Sequence, residues 1–367
     1  MHFFRKEHDL SNVLAFRVHF EILLWVGSNG RIAQTPQFSN RTELLEFHGQ
    51  TCTPSKIRLS RLQFKPKCNK DRILTLENIM RNLAKTSFAT VALTLMGAAQ
   101  YVTASEETHE VSNETIAAQR HELAENTDGQ GFGPQSPRDI DVHVGNNNRT
   151  FEAAPSHTLM NLCNIHFHEN AEHKGGEFTT FAGNGDGHGY GTGYKYSGDL
   201  SAAELTDLGK KIGESEYGDL VVGDTIEVHY VHTTAQINPG PTLGACLSEA
   251  IMNPQLRVET QVYVLVNDES ALVFGELAKT AMINGLHQAV NIPTNTGQPV
   301  QYEGSTTGPG YNETGSPLQV SWSVRPQVAK VNIETLEIWL AGNIFDEDHA
   351  HGVRNLVVNP DLLSPID

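Results

Sequence analysis

The sequence predicts a mainly β domain built on a large central, mostly antiparallel twisted sheet with a few peripheral helices. Three observations carry this. Runs rich in β-branched and aromatic residues recur at 159–168, 218–233, 257–266, 318–324 and 331–341. Loops containing Gly and Pro separate them. Between them only 201–213 has a helical period, with a Lys-rich end, and it reads as one surface helix. With 367 residues and 38% apolar composition, the chain can bury one sizeable core and still carry a tail.

From the N-terminus, residues 1–79 carry 12 basic against 7 acidic side chains and no clear helical or strand period. They read as an extension outside the folded domain, translated upstream sequence or an unusual tail. The apolar patch at 10–26 is broken by Arg17, His19 and Glu21, which excludes a membrane span there. Residues 80–104 have the order of a signal peptide: Met80, then Arg81 and Lys85, an apolar run at 88–99, and Val102-Thr103-Ala104 before Ser105-Glu106-Glu107. A signal must lead the nascent chain, so Met80 reads as the start. The polar stretch 105–133 reads as an extended lead-in, ending in Gly129-Gln130-Gly131-Phe132-Gly133-Pro134, and 134–367 as the working domain. The glycine-rich 183–191 lacks the spacing of a calcium loop and the Lys of a phosphate loop, so it reads as a loop between strands.

After residue 104 the chain has 12 basic and 36 acidic residues, net −24. Such a surface cannot neutralise a phosphate backbone, which argues against nucleic acid. It fits a soluble exported protein, periplasmic or secreted, without a stable membrane anchor. Two cysteines remain there, Cys163 and Cys246, and in an oxidising compartment an even count predicts one disulfide. A free buried pair is the alternative. Cys163 has opposite strand parity to His166 and His168, so it is expected to point away from them.

The chemistry lies in His166-Phe167-His168 and Glu227-Val228-His229. In a strand, alternate side chains share a face, so the first pair enters one pocket and the third imidazole can come from a neighbouring strand. Three neutral imidazoles with an open fourth position suit a catalytic zinc. A lone His-x-His among 17 histidines is more often a surface or satisfied pair. Here both stretches lie in strand-like sequence, and Asn164 and Glu227 each stand two residues before a ligand candidate.

Read in order, Asn164-Ile165-His166-Phe167-His168, Glu172-His173 and Glu227-Val228-His229-Tyr230-Val231-His232 resemble the zinc core of α-type carbonic anhydrases. That core runs Gln-Phe-His-Phe-His, Ser-Glu-His-Thr and Glu-Leu-His-Leu-Val-His. Gln135-Ser136-Pro137-Arg138-Asp139-Ile140 is similar to the family's Gln-Ser-Pro-Ile-Asn-Ile. Tyr302 to Pro309 is similar to its Gly-Ser-Leu-Thr-Thr-Pro-Pro segment, and Val320-Ser321-Trp322 to its Val-Thr-Trp. The short loop before Glu172, the Lys174-Gly175 that follows His173, and the insertion 314–319 look more like the δ-class branch.

The resemblance implies a zinc-dependent enzyme that hydrates CO2 reversibly to bicarbonate through a zinc-bound hydroxide, with His166, His168 and His229 as ligands. It implies Thr307 and Glu172 as the pair that orients the nucleophile, and Asn164 and Glu227 as partners orienting ligand imidazoles. Val231, Trp322 and Thr306 would line the substrate pocket. His173 competes with His229 as third ligand, and His157 and His188 are of the right type for a proton shuttle without the spacing selecting either. A cupin, using Fe or Mn with Glu172 as ligand, is the rival enzyme; its glycines are missing, since Met160 and Thr179 occupy those positions. An exported metal-binding or interaction protein is the non-catalytic alternative. From the signal pattern, protein isolated from its host should begin near Ser105; an intact mass that retains 1–79 would contradict export.

Overall fold

The computed structural model describes residues 110–306 and 308–367. The extension, the signal pattern and Thr307 lie outside the described residues. The core is a five-stranded sheet in the order β1-β6-β7-β11-β10. Its strands are β1 (Asn161–Glu169), β6 (Thr225–Thr233), β7 (Leu256–Val266), β10 (Val300–Ser305) and β11 (Gln319–Asn332). Three of the four pairings are antiparallel; β7 with β11 is parallel. The expected mainly β, mostly antiparallel architecture is what forms. Three hairpins flank it: β2 (Thr180–Asn184) with β3 (Thr192–Lys195), β4 (Ile212–Ser215) with β5 (Gly218–Leu220), and β8 (Thr280–Ile283) with β9 (Leu286–Ala289).

Every residue of β6 and β7 is buried, because the sheet is covered on both faces. On one face Ile165, Phe167, Ile226, Val228 and Tyr230 pack with Phe274 and Trp339. On the other, Val231, Val258, Val262, Tyr302 and Trp322 form a second cluster. Since side chains alternate, His166, His168, Glu227 and His229 fall on the second face.

The structure corrects five sequence expectations about elements. The lead-in is not extended throughout: α1 (Asn113–Thr127) forms there, capped where the Ser112 side chain accepts the Thr115 N–H, with Ile116 and Leu123 buried. The 201–213 helix does not form. The Glu204 carbonyl accepts the Asn267 N–H (2.9 Å) and its carboxylate takes Lys330, while Thr206 O accepts from Asn267 Nδ2, so the groups a helix needs bond elsewhere.

The strand expected at 218–233 is broken at Val221–Asp224, where the Asp224 carboxylate accepts the Val221 N–H at 2.7 Å and Gly223 takes φ +95°. The strand expected at 331–341 gives way to helix α2 (Ile333–Leu340) after two residues. Asn332 accepts the Glu334 N–H at 3.0 Å, and the helical turn puts Ile333, Leu336 and Trp339 into the core. The gap expected between 324 and 331 is a bulge: β11 continues past Pro326, which has no N–H to donate, and the register resumes at Val328.

Among the described residues no helix is long and apolar enough to cross a membrane. The helix at 333–340 separates two residues that a strand would put on one face. Leu336 is fully buried, whereas Ile338 is 73% exposed. Leu336→Ala should cost about 2–5 kcal/mol in urea unfolding and Ile338→Ala close to nothing; equal losses would contradict the helix.

Candidate metal centre

The β1–β6 pairing sets the site. His166 stands directly opposite His229, and His168 opposite Glu227. Ring centroids are 5.0 Å apart for His166 and His229, 4.7 Å for His168 and His229, and 5.2 Å for His166 and His168. One ligand atom from each of the three lies within 4.8 Å of the others.

Each ring is fixed by its outer nitrogen. His166 Nδ1 donates to Asn164 Oδ1 (2.6 Å), His168 Nδ1 to the Gly352 carbonyl (2.9 Å), and His229 Nε2 to Glu227 Oε1 (2.7 Å). Those partners leave His166 Nε2, His168 Nε2 and His229 Nδ1 bare, and the first and last of these lie 3.2 Å apart. Outer donation of this kind selects the tautomer whose inner nitrogen carries a lone pair. Three converging lone pairs with no thiolate fit a metal with an open position.

The electrostatics agree. Burial, then the neighbouring His229, drives His166 well below the usual imidazole range, and burial with His351 lowers His168 to about 4. His229 is lowered by burial despite its bond to Glu227. The rings are therefore neutral at pH 7. Burial alone would raise Glu227, but His173 and His229 overcome it and hold this carboxylate below its ordinary range.

His173 is brought close without joining the three. Its Nδ1 bonds Glu227 Oε1 (2.7 Å), its backbone N–H donates to Glu227 Oε2 (3.1 Å), and its Nε2 meets the Tyr302 hydroxyl (2.7 Å). Neither ring nitrogen is bare. Glu172 is buried with Oε1 3.7 Å from His229 Nε2, the outer edge of that ring, so it lies away from the bare nitrogens. A cupin-type ligand set needs it among them. Burial raises the Glu172 carboxyl, while His229 and Arg354 pull the other way. Its Oε2 has no hydrogen-bond partner among the described residues.

Trp322 lies with its ring 5.0 Å from His229 and donates its indole N–H to the Ser305 carbonyl (3.0 Å). Val231 is buried in the same cluster, and Thr306 is buried with its N–H bonded to Leu318 O (2.9 Å). Cys163 and Cys246 are joined as a disulfide. The parity argument for Cys163 fails, because Leu162 pairs with His232 and Asn164 with Val231, leaving Cys163 as the extra residue of a bulge. The bulge turns it into the cluster of Val231 and Trp322, on the histidine face.

Of the two shuttle candidates, His157 bonds Glu259 (3.2 Å) beside His232, and His188 is exposed in the turn of the β2–β3 hairpin. Asp186 spends its carboxylate on the N–H groups of His188 and Tyr190 in that turn. Sequence reasoning missed His351. Its ring lies 5.6 Å from His166 and 6.0 Å from His168, and its Nε2 bonds Glu347 (2.6 Å). The signal was a second His-x-His, His349-Ala350-His351, inside an acidic run.

An open three-histidine centre on adjacent antiparallel strands defines a metal-dependent enzyme class. A family model described as delta carbonic anhydrase matches residues 157–335. Over those residues the chain is carbonic-anhydrase-like, which supports an enzyme over the non-catalytic reading. No curated protein matches the chain. Among solved structures it is similar to the α-carbonic anhydrase of Thermovibrio ammonificans in complex with sulfanilamide, at 14% identity over 64% of this chain and 88% of that one, TM-score 0.22. A hyperthermostable carbonic anhydrase from a hydrothermal vent chimney is similar at 13% identity over 67% and 90%, TM-score 0.23. The Photobacterium profundum α-carbonic anhydrase is similar at 15% over 67% and 95%, TM-score 0.22. The assignment rests on the match over 157–335.

The depressed imidazoles generate a pH test on metal-free protein. A folded-state value near 4 for His168, against 6.5 unfolded, means that the unfolded chain takes the proton first as pH falls. Stability should be flat above about pH 7 and decline between about 6.5 and 4. Urea midpoints unchanged from pH 7.5 to about 4.5 would contradict buried neutral rings.

Proposed function

We propose that this domain is a zinc carbonic anhydrase acting on CO2 and bicarbonate, with His166, His168 and His229 holding the zinc. The observation that carries this reading is the set of three bare ring nitrogens, each opposite a nitrogen fixed by Asn164, Gly352 or Glu227. Neutral imidazoles without thiolates are the donor set of a zinc that keeps a reactive position. When bound there, zinc would supply a nucleophile at neutral pH by lowering the pKa of a water to about 7.

The rest of the chemistry belongs to the chain. The pair assigned to orient the nucleophile is Thr307 with Glu172, whose Oε2 has no partner among the described residues and would accept a hydroxyl proton. The same hydroxyl oxygen is then left to accept, which orients the nucleophile toward CO2. Val231 and Trp322 form the apolar wall that receives CO2, with Thr306 beside them, and exclude competing polar ligands. A disulfide fits export to the periplasm or beyond, with 80–104 as the signal and the mature protein beginning near Ser105.

Metal analysis paired with a CO2 hydration assay tests the whole reading: zinc with fast hydration is expected, and iron or manganese without hydration would overturn it. His229→Ala should lose zinc on dialysis, whereas His173→Ala should retain it, with affinity lowered about 10- to 100-fold. The opposite pattern would move the third ligand to His173.

Thr307→Ala and Glu172→Gln should keep full zinc yet hydrate CO2 about a hundredfold more slowly, roughly 3 kcal/mol. Thr306→Ala should lose far less. A crippled Thr306→Ala beside a near wild-type Thr307→Ala would shift the assignment by one residue.

A further inference from the structure

The loop after β6 is tied to the bulge in β1 at three points. The Gly240 N–H donates to the Cys163 carbonyl (3.0 Å), the Gly240 carbonyl accepts from Asn164 Nδ2 (3.1 Å), and Cys246 is bonded to Cys163. The Cys246 carbonyl also accepts from Thr233 Oγ1 (2.8 Å), at the end of β6. Cys163, Asn164, Gly240 and Cys246 are all buried. The bulge makes this possible: it aims Cys163 at the loop while leaving Asn164 in phase with His166.

The consequence falls on one proton. A carbonyl can only accept, so Gly240 O holds the NH2 end of the Asn164 amide and turns Oδ1 toward His166, 2.6 Å away. Facing an acceptor, His166 must carry its proton on Nδ1, which leaves Nε2 bare. If the loop lifts, the amide can rotate and present NH2 instead. His166 then keeps its proton on Nε2, and that nitrogen cannot ligate until it loses it.

We propose that Gly240 is a positioning residue for the metal centre, setting the His166 tautomer through the Asn164 amide, and that the Cys163–Cys246 disulfide pins it there. Metal affinity therefore depends on the oxidation state of that pair. This rests on reading His166 as a ligand.

The test uses metal-free protein with 15N-labelled histidine, and zinc competition against a chelator. Wild type should show His166 as the single Nδ1–H tautomer. Cys246→Ser should show mixed tautomers and bind zinc about tenfold or more weakly. In an Asn164→Asp background both oxygens accept, no donor can face His166, and removing the disulfide should change affinity less than about twofold.

A single Nδ1–H tautomer with unchanged affinity in Cys246→Ser would overturn the proposal. So would an equal loss in both backgrounds, which is general loosening and not control of the amide. If Cys246→Ser fails to reach the wild-type circular dichroism, the same readouts are made on wild type and Asn164→Asp reduced after folding. Should His166→Ala bind zinc as wild type does, the ligand reading fails, while the tautomer, measured without metal, still decides the proposal.

Discussion

The antiparallel register of β1 against β6 is the constraint on which the rest depends. It puts His166 across from His229 and Glu227 across from His168, and it does so on the face that also carries Val231 and Trp322. A slip of β1 by one residue would carry His166 and His168 to the opposite face and bring Ile165 and Phe167 into their place. The extra residue at Cys163 absorbs such a slip at one end, and the disulfide holds it there.

Around that register the chain buries a connected set of charged and polar side chains. Glu227 is wholly buried and takes three donors: the rings of His173 and His229 and the His173 backbone. Tyr302 extends the network from His173 to Ser136, whose Oγ also accepts the Ser305 N–H (3.1 Å) beside the loop that bears Thr306. A connected network of this kind rigidifies a site, because each member is costly to leave unpaired. Arg354 works similarly, donating to the carbonyls of Ser136, Tyr311 and Thr314, and so holds the loop after Thr307 against the 135–137 segment.

Much of this was legible in the sequence because strand periodicity is local. The i, i+2 spacing of His166 and His168, with Asn164 and Glu227 in phase, determined which side chains would share a pocket. What was illegible was decided by contacts distant along the chain. Ser201 to Gly213 has a helical period, but Asn267 and Lys330 take its Glu204. Ile333 to Leu340 has strand composition, but the Asn332 cap and the pocket for Leu336 and Trp339 favour a helix. The parity of Cys163 failed for a similar reason, since a bulge is a property of the pair of strands and not of one. His351 was missed because its His-x-His stands in an acidic run far along the chain, and only the fold brings it beside His166.

That segment has a consequence in time. β1 is the outermost strand of the sheet, and its outer edge is covered by His351, which receives the Glu169 N–H (3.0 Å) and donates its own to Phe167 O (2.9 Å). The next residue, Gly352, supplies the acceptor for His168, 184 positions further along the chain. A polypeptide emerging from the ribosome has both strands and all three imidazoles long before it has this edge cover. The centre is thus completed only once this later segment has emerged, and until then the nascent chain carries an open strand edge for a chaperone to shield.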